Sequence, residues 1–254
     1  MGIRNRILQG METHIGDWSL LSQLARWGVT LSESQRARLQ QYLDHLYAVN
    51  QQMNLTRVPP EQAVGRHLLD SLCLLAVYTP PEGASALDIG SGAGLPGVPI
   101  AIARPDLKFT LLDSHGKTVH FLQETCKLLN LNAVAVQARA EAWAQTPEAR
   151  EAFDLVTARA VAKMPALTEL MTPFLKVGGT GLALKSIHEL DEIRAAEPAA
   201  RILGASLTVQ TIEFETEQGT VQRAVAVLHK VRPTPPQYPR SWAQITKRPL
   251  GVKA

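Results

Sequence analysis

Apolar residues recur along this chain with two different periods, and the change between them divides it. Asp17 to Gly28 predicts a short amphipathic helix with a capping residue at each end. Ser32-Glu33-Ser34-Gln35 has the pattern of a capping box and opens a longer helix to about Gln51. Within it Leu39, Leu43, Leu46 and Tyr47 recur at helical spacing. Pro59-Pro60 interrupts the pattern, and a third helix is expected from about Glu61 to Tyr78. Residues 17–79 thus read as an N-terminal helical unit behind a flexible leader, 1–16.

After Pro80-Pro81 short apolar runs alternate with helical patterns. Strands are predicted at 85–89, 107–113, 133–138, 154–158 and 180–185, and helices near 97–103, 116–130, 141–150, 164–175 and 188–199. That alternation predicts an α/β domain over 80–231 with a doubly wound, mostly parallel sheet. Two closing runs, near 206–214 and 221–230, flank Glu215-Thr-Glu-Gln-Gly-Thr and read as a hairpin. The last strand is therefore expected to run antiparallel to the others.

Composition adds limits. The chain has 254 residues, 45% of them hydrophobic, which suits one moderate α/β domain with an added element. Cys73 and Cys126 have neither metal spacing nor a disulfide framework, so reduced thiols, no metal and a cytoplasmic location are expected. The start lacks the apolar run of a signal peptide, and no segment has the length of a membrane span. A monomer is expected. The net charge of +3 is unevenly spread: Lys230, Arg232, Arg240, Lys247, Arg248 and Lys253 follow one another with no acid, leaving −3 on the rest. A basic, proline-rich tail at 232–254 suits a polyanionic partner; a solvated, loose terminus is the plainer alternative.

The densest chemical signal is Leu87-Asp88-Ile89-Gly90-Ser91-Gly92-Ala93-Gly94-Leu95-Pro96-Gly97. A strand ends in an acid and enters a glycine-rich loop, which a helix follows. Such a loop brings backbone close to a ligand beneath free helix N–H groups. Gly92-x-Gly94-x-x-Gly97, with Asp113 nineteen residues after Gly94, fits a dinucleotide fingerprint. Asp88 at the strand tip argues against it, because its carboxylate would repel a pyrophosphate. A phosphate-free cofactor with a cationic end fits better, and S-adenosylmethionine is such a molecule. The acid-Ile-Gly-Ser-Gly-Ala-Gly string resembles the first motif of class I methyltransferases.

In an open α/β sheet the ligand lies beyond the C-terminal strand ends. The second strand ends at Asp113, which suits the ribose hydroxyls; a helix cap is the alternative. The third ends near Arg139-Ala140-Glu141, where the Ala140 backbone and Glu141 suit an adenine, or Glu141 only caps a helix. Arg159 and Lys185 end the fourth and fifth, and two cations at adjacent tips suit an anionic substrate better than two unrelated solvated charges.

Several further segments resemble the glucose-inhibited division protein B family, the small-subunit ribosomal RNA guanine-N7 methyltransferases. They are Asn50-Gln-Gln-Met-Asn54-Leu55-Thr56, Arg66-His67-Leu-Leu-Asp70-Ser71, Gly90 to Gly97, Leu112-Asp113-Ser114 with Gly116-Lys117, Arg139-Ala140-Glu141, Arg159-Ala160-Val161, Leu184-Lys185 and the basic C-terminus from Arg232 to Leu250. The likeness runs from about residue 20 to 250. Ser241-Trp242-Ala243-Gln244 and Gln222-Arg223-Ala224 depart from the family pattern. The resemblance implies a Rossmann-like class I methyltransferase fold with N-terminal helices, and transfer of a methyl from S-adenosylmethionine to N7 of a guanine in 16S ribosomal RNA, free or in the 30S particle. It implies cofactor contacts at Gly90, Leu95, Asp113, Ala140, Glu141 and Arg159, and RNA contacts at Arg66, Arg139, Arg223 and Arg240. It also makes His67 and Lys185 positioning candidates, although a helical histidine beside Asp70 also serves as a plain structural group. An NAD-dependent oxidoreductase and a non-catalytic RNA-binding or assembly module on the same fold are the alternatives.

Overall fold

Seven strands form one sheet in the computed structural model of the protein, which describes residues 15–251. The predicted leader therefore lies almost wholly outside the described residues, as does Lys253. The strands are β1 (Ser85–Ile89), β2 (Lys108–Asp113), β3 (Ala133–Gln137), β4 (Phe153–Arg159), β5 (Leu175–Ser186), β6 (Ala205–Thr216) and β7 (Gly219–Lys230), in the order β3-β2-β1-β4-β5-β7-β6. β1 to β5 pair in parallel, and β7 enters antiparallel between β5 and β6. The expected closing hairpin is therefore present, with its return strand reversed against its neighbours. The reversal matters for position: Arg223, early in β7, pairs with Ser186 at the end of β5. It thus reaches the edge where Asp113 and Arg159 end their strands.

Ser32 caps the Glu33–Met53 helix as expected. Its Oγ accepts from the Gln35 amide at 3.2 Å, and Gln35 Oε1 accepts from the Ser32 amide at 2.8 Å. The face of Leu39, Tyr42, Leu43 and Leu46 is buried. Trp18–Trp27 takes the tighter 3-10 form, with Asp17 accepting from the Ser19 amide and Gly28 closing it in a left-handed conformation. The third expected helix is irregular. It runs through a 3-10 turn at Pro60–Gln62, a wide π turn at Val64–Leu69, and short α-helical pieces at Asp70–Leu72 and Leu74–Val77. Gly65 lies where it meets the β6–β7 hairpin: its amide donates to both carboxylate oxygens of Glu217 at 3.1 Å, and a Cβ there would stand 2.7 Å from Thr216 Cβ.

The N-terminal helices share a core with one face of the sheet; Leu21, Leu39 and Leu43 belong to the same buried cluster as Ile100, Leu111, Phe121 and Val225. On the other face the Met164–Met171 and Glu197–Leu203 helices close a second cluster. The helix expected at 141–150 is only the Ala140–Trp143 turn, and that at 188–199 divides before Pro198, which sits in the first turn of its second piece. β5 begins five residues earlier than its expected 180–185 span, because Gly178-Gly179 reads as a turn yet continues the strand after a register shift against β4.

The described part of the basic tail is held against the fold, which removes the alternative of a loose terminus there. The Arg150 guanidinium donates to the carbonyls of Thr234, Pro235 and Tyr238. The Glu169 carboxylate, fully buried, accepts from the Arg240 amide at 2.8 Å and from its guanidinium at 2.7 and 3.0 Å. Beyond it the Trp242–Lys247 helix sets Ile245 against Ala166 and Leu170. Arg240, expected at RNA, is thus engaged inside the fold.

Removing one partner of a buried ion pair leaves an uncompensated charge, at a cost of roughly 3–5 kcal/mol. Arg240→Ala is expected to lose about that much stability in urea unfolding, and Glu169→Gln less, since it removes the stranded charge.

Candidate active site

The loop after β1 carries Gly90, Gly92 and Gly94 in left-handed conformations, at φ of 64°, 52° and 90°. At Gly92 a Cβ would meet nothing closer than 3.9 Å, so conformation, not crowding, requires glycine there. At Gly97 crowding decides: a Cβ would stand 2.5 Å from Leu111 Cδ2 and 2.9 Å from the Asp88 carboxylate. Tyr42, from the N-terminal helix, donates its hydroxyl to the Ala93 carbonyl at 2.7 Å and props the loop from behind.

Asp88 departs from its expected role. It is fully buried; Oδ2 accepts from the Gly97 amide at 3.2 Å and Oδ1 from the Thr157 hydroxyl at 2.8 Å. The carboxylate thus anchors the start of the Gly97–Ala103 helix instead of facing a cationic ligand end. Burial pushes its pKa up to about 6, against the lowering effect of these hydrogen bonds.

Asp113, largely buried, is the other side of the same construction. Its Oδ2 accepts from the Gly92 amide at 3.0 Å and its Oδ1 from the His115 amide at 2.9 Å, so it pulls the glycine loop onto the tip of β2. Oδ1 also lies 3.2 Å from His115 Nδ1, and Oδ2 keeps a further lone pair. Asp113 borders a cavity of about 350 Å³, with Gly90, Leu112, Ala138, Arg139, Ala140 and Glu141. Ile89, Ser114, His115, Ala160, Val161, Leu170 and Trp242 complete its lining. Its size lies within the range of small-ligand sites, roughly 300–1,000 Å³. Glu141 sits in the first turn of its helix, borders the cavity and accepts from Arg139 Nε at 2.6 Å; it makes no cap hydrogen bond. Leu95 is buried behind the loop and is not among the cavity residues.

A second cavity, of about 410 Å³, meets the first at Ala160, which lines both. Ala160 has φ of +56°, a conformation costly for a residue with a Cβ. The lining of this second cavity holds Arg66, Arg159, Lys185 and Arg223 together with two carboxylates, Asp70 and Glu189. Asp70 accepts from Arg159 at 2.9 Å and from Arg223 at 2.6 Å. Lys185 Nζ reaches Glu192 at 2.8 Å, Glu189 at 3.2 Å and the Ala162 carbonyl at 3.0 Å, which fixes the segment after β4. Arg159, expected at the cofactor, thus belongs to the cation-lined cavity, and Arg139 to the other.

His67 lines the second cavity and is fully engaged within the fold. It is buried; burial, reinforced by the Arg159 charge, drives its pKa down to about 3, so the ring is neutral. Nδ1 lies 3.2 Å from the Arg66 carbonyl and Nε2 3.0 Å from the Thr56 hydroxyl. A carbonyl only accepts, so Nδ1 carries the proton and Nε2 accepts from Thr56. Asn50 brackets the Thr56 amide and carbonyl at 2.8 and 2.9 Å. The Asn50–Thr56 segment and His67 therefore form one brace. Trp242, from the basic tail expected at a polyanion and from the stretch that departs from the family pattern, is a cavity residue that strand-tip reasoning missed.

Residues 35–225 match the family model described as rRNA small subunit methyltransferase G. The chain belongs to this family. It is 40% identical to the ribosomal RNA small subunit methyltransferase G of Chloroflexus aggregans, over 91% of this chain and 97% of that one. It is 39% identical to the protein of the same name from Lactobacillus delbrueckii subsp. bulgaricus, over 89% and 96%. Among solved structures, the branched-chain polyamine synthase from Thermus thermophilus, in complex with N4-aminopropylspermidine and 5'-methylthioadenosine, aligns with a TM-score of 0.52 at 17% identity. That alignment covers 65% of this chain and 57% of the synthase, a likeness of fold. Among the described residues no helix is long and apolar enough to cross a membrane.

The raised pKa of Asp88 makes a signed prediction for this family member. Between the ordinary value of 3.8 and about 6 the native state binds more protons than the unfolded chain, so stability falls as pH rises through that window. Unfolding in urea at a series of pH values is expected to show wild type losing up to about 3 kcal/mol relative to Asp88→Asn between pH 4 and 7. The difference should be flat above pH 7.

Proposed function

We propose that the chain transfers a methyl group from S-adenosylmethionine to N7 of a guanine in small-subunit ribosomal RNA. The observation that carries this reading is the junction of two unlike cavities at Ala160, one small and partly apolar beside Asp113, the other rich in cations, in a member of this family. The residues present fit an adenosine. Asp113 offers the free lone pair of Oδ2 to a ribose hydroxyl, Gly90 leaves the loop backbone bare, and Ala140 with Glu141 offers polar groups at the far end. The bound cofactor would supply a methyl group already activated on a sulfonium.

The chain's own part is then positioning. Guanine N7 carries an available lone pair, so no proton has to leave before attack. The neutral, fully bonded His67 agrees with a site that has no general base. Arg66, Arg159 and Arg223 suit phosphates and guanine O6, and Lys185 holds the segment between the cavities. Reaching one base in folded RNA calls for it to be unstacked into the cation-lined cavity. The sheet disfavours the dinucleotide alternative: an antiparallel β7 between β5 and β6 departs from the 3-2-1-4-5-6 order of dinucleotide folds.

Asp113→Ala is expected to abolish S-adenosylhomocysteine binding in calorimetry; affinity equal to wild type would remove the cofactor assignment. Arg223→Ala should keep that affinity but weaken RNA binding, and should lower the slope of log affinity against log salt by about one. Label from the methyl-labelled cofactor, offered 30S particles and naked 16S RNA, should appear as N7-methylguanine on mass mapping of the RNA. Transfer to neither substrate would leave the non-catalytic module as the better reading.

A further inference from the structure

The outer wall of the Asp113 cavity comes from the C-terminal segment. Trp242 lines it beside Leu170 and Val161, 83 residues beyond Arg159 at the end of β4, the nearest strand tip that builds the rest of it. Its side chain packs, half-buried, on the small cluster of Ala166, Leu170 and Ile245. Among the described residues its ring pairs with no other aromatic ring and its indole N–H donates to nothing. An aromatic surface is therefore held in place without a protein partner of its own kind.

The means of holding it are unusual. Glu169 is a fully buried carboxylate in a largely apolar helix, and all its hydrogen bonds go to Arg240, two residues before Trp242. A buried ion pair adds little net stability over an apolar one, and its best-attested use is to fix register. Here it fixes the register of the segment that carries Trp242. Ser241 and Gln244 then cap the following helix, and Ile245 anchors it.

We propose that Trp242 stacks on the base of the adenosine-bearing ligand, and that the Arg240–Ile245 segment is a fixed wall of the cofactor pocket. This rests on the S-adenosylmethionine reading above. Stacking on an aromatic ring selects a flat π surface, so it acts on the adenine and not on the amino-acid end of the ligand.

The test uses the whole protein with two probes, S-adenosylhomocysteine and 5'-methylthioadenosine, the second lacking the amino-acid group. In calorimetry Trp242→Ala should weaken both by the same factor, about ten- to a hundred-fold, as expected for loss of one base–aromatic stack. Trp242→Phe should stay within about three-fold of wild type for both. Saturating ligand should quench part of the indole fluorescence of wild type, and Trp242→Phe, still binding, should lose that part. Unchanged affinity in Trp242→Ala, or equal quenching in wild type and Trp242→Phe, would overturn the assignment. Loss of affinity in Trp242→Ala that Phe does not restore would overturn it too, pointing to a merely structural role. The two readings fail differently. If wild type bound neither probe, the cofactor reading itself would fall. If wild type bound both and Asp113→Ala neither, with Trp242→Ala unaffected, only the role of the tail would fall.

Discussion

The site depends on Asp70, one buried carboxylate held between two guanidinium groups. It belongs to the irregular helical run after Pro60, Arg159 ends β4, and Arg223 lies in the reversed β7. Those three elements are far apart in the chain, and the two ion pairs join them at the mouth of the sheet. Without Asp70, Arg159 and Arg223 would face each other across a partly desolvated gap, at a repulsive cost that grows as water is excluded. With it, one negative charge is shared and the cluster keeps a single net positive charge. The cluster is thus both a mechanical joint and the source of the field in the second cavity.

The same logic explains the π turn at Val64–Leu69. A regular α-helix puts side chains one turn apart on a single face. Here Arg66 must reach the cavity, His67 must turn inward to Thr56, and Asp70 must meet β4 and β7. The wider turn spreads these directions, and Gly65 admits the hairpin against the backbone. Lengthened turns of this kind occur mostly at functional sites because they are otherwise unfavourable.

What could be read from the chain was whatever depends on local pattern. The β1 and Gly97–Ala103 boundaries, the Ser32 capping box, the β6–β7 hairpin and the strand-tip position of Asp113 each follow from spacing and residue type within a few positions. What could not be read depends on partners distant in sequence. Asp88 has the same place beside a glycine loop whether its carboxylate turns outward to a ligand or inward to the Gly97 amide; only Thr157, on another strand, decides. Arg240 reads as a solvated tail charge until Glu169 is seen to be buried opposite it. Trp242 carries no periodic signal, because its contact to Leu170 is made across the fold. A run of basic residues with no acid describes composition alone, and Arg150 and Glu169, both outside that run, turn it into structure.

The sign of the charge in the second cavity bears on the proposed reaction in a way that binding alone does not explain. Methylation at N7 places a positive charge on the guanine. Before transfer the cations draw in phosphates and the electron-rich O6 edge; after transfer the same cations oppose the base. A cavity tuned to a neutral acceptor thereby disfavours its own product, and the attraction to the backbone phosphates is what the released base must overcome. Carboxylates in place of these cations would stabilise the charged product but would repel the RNA on approach. Keeping Asp70 and Glu189 engaged with cations, and keeping His67 neutral, leaves the balance on the side of capture and release.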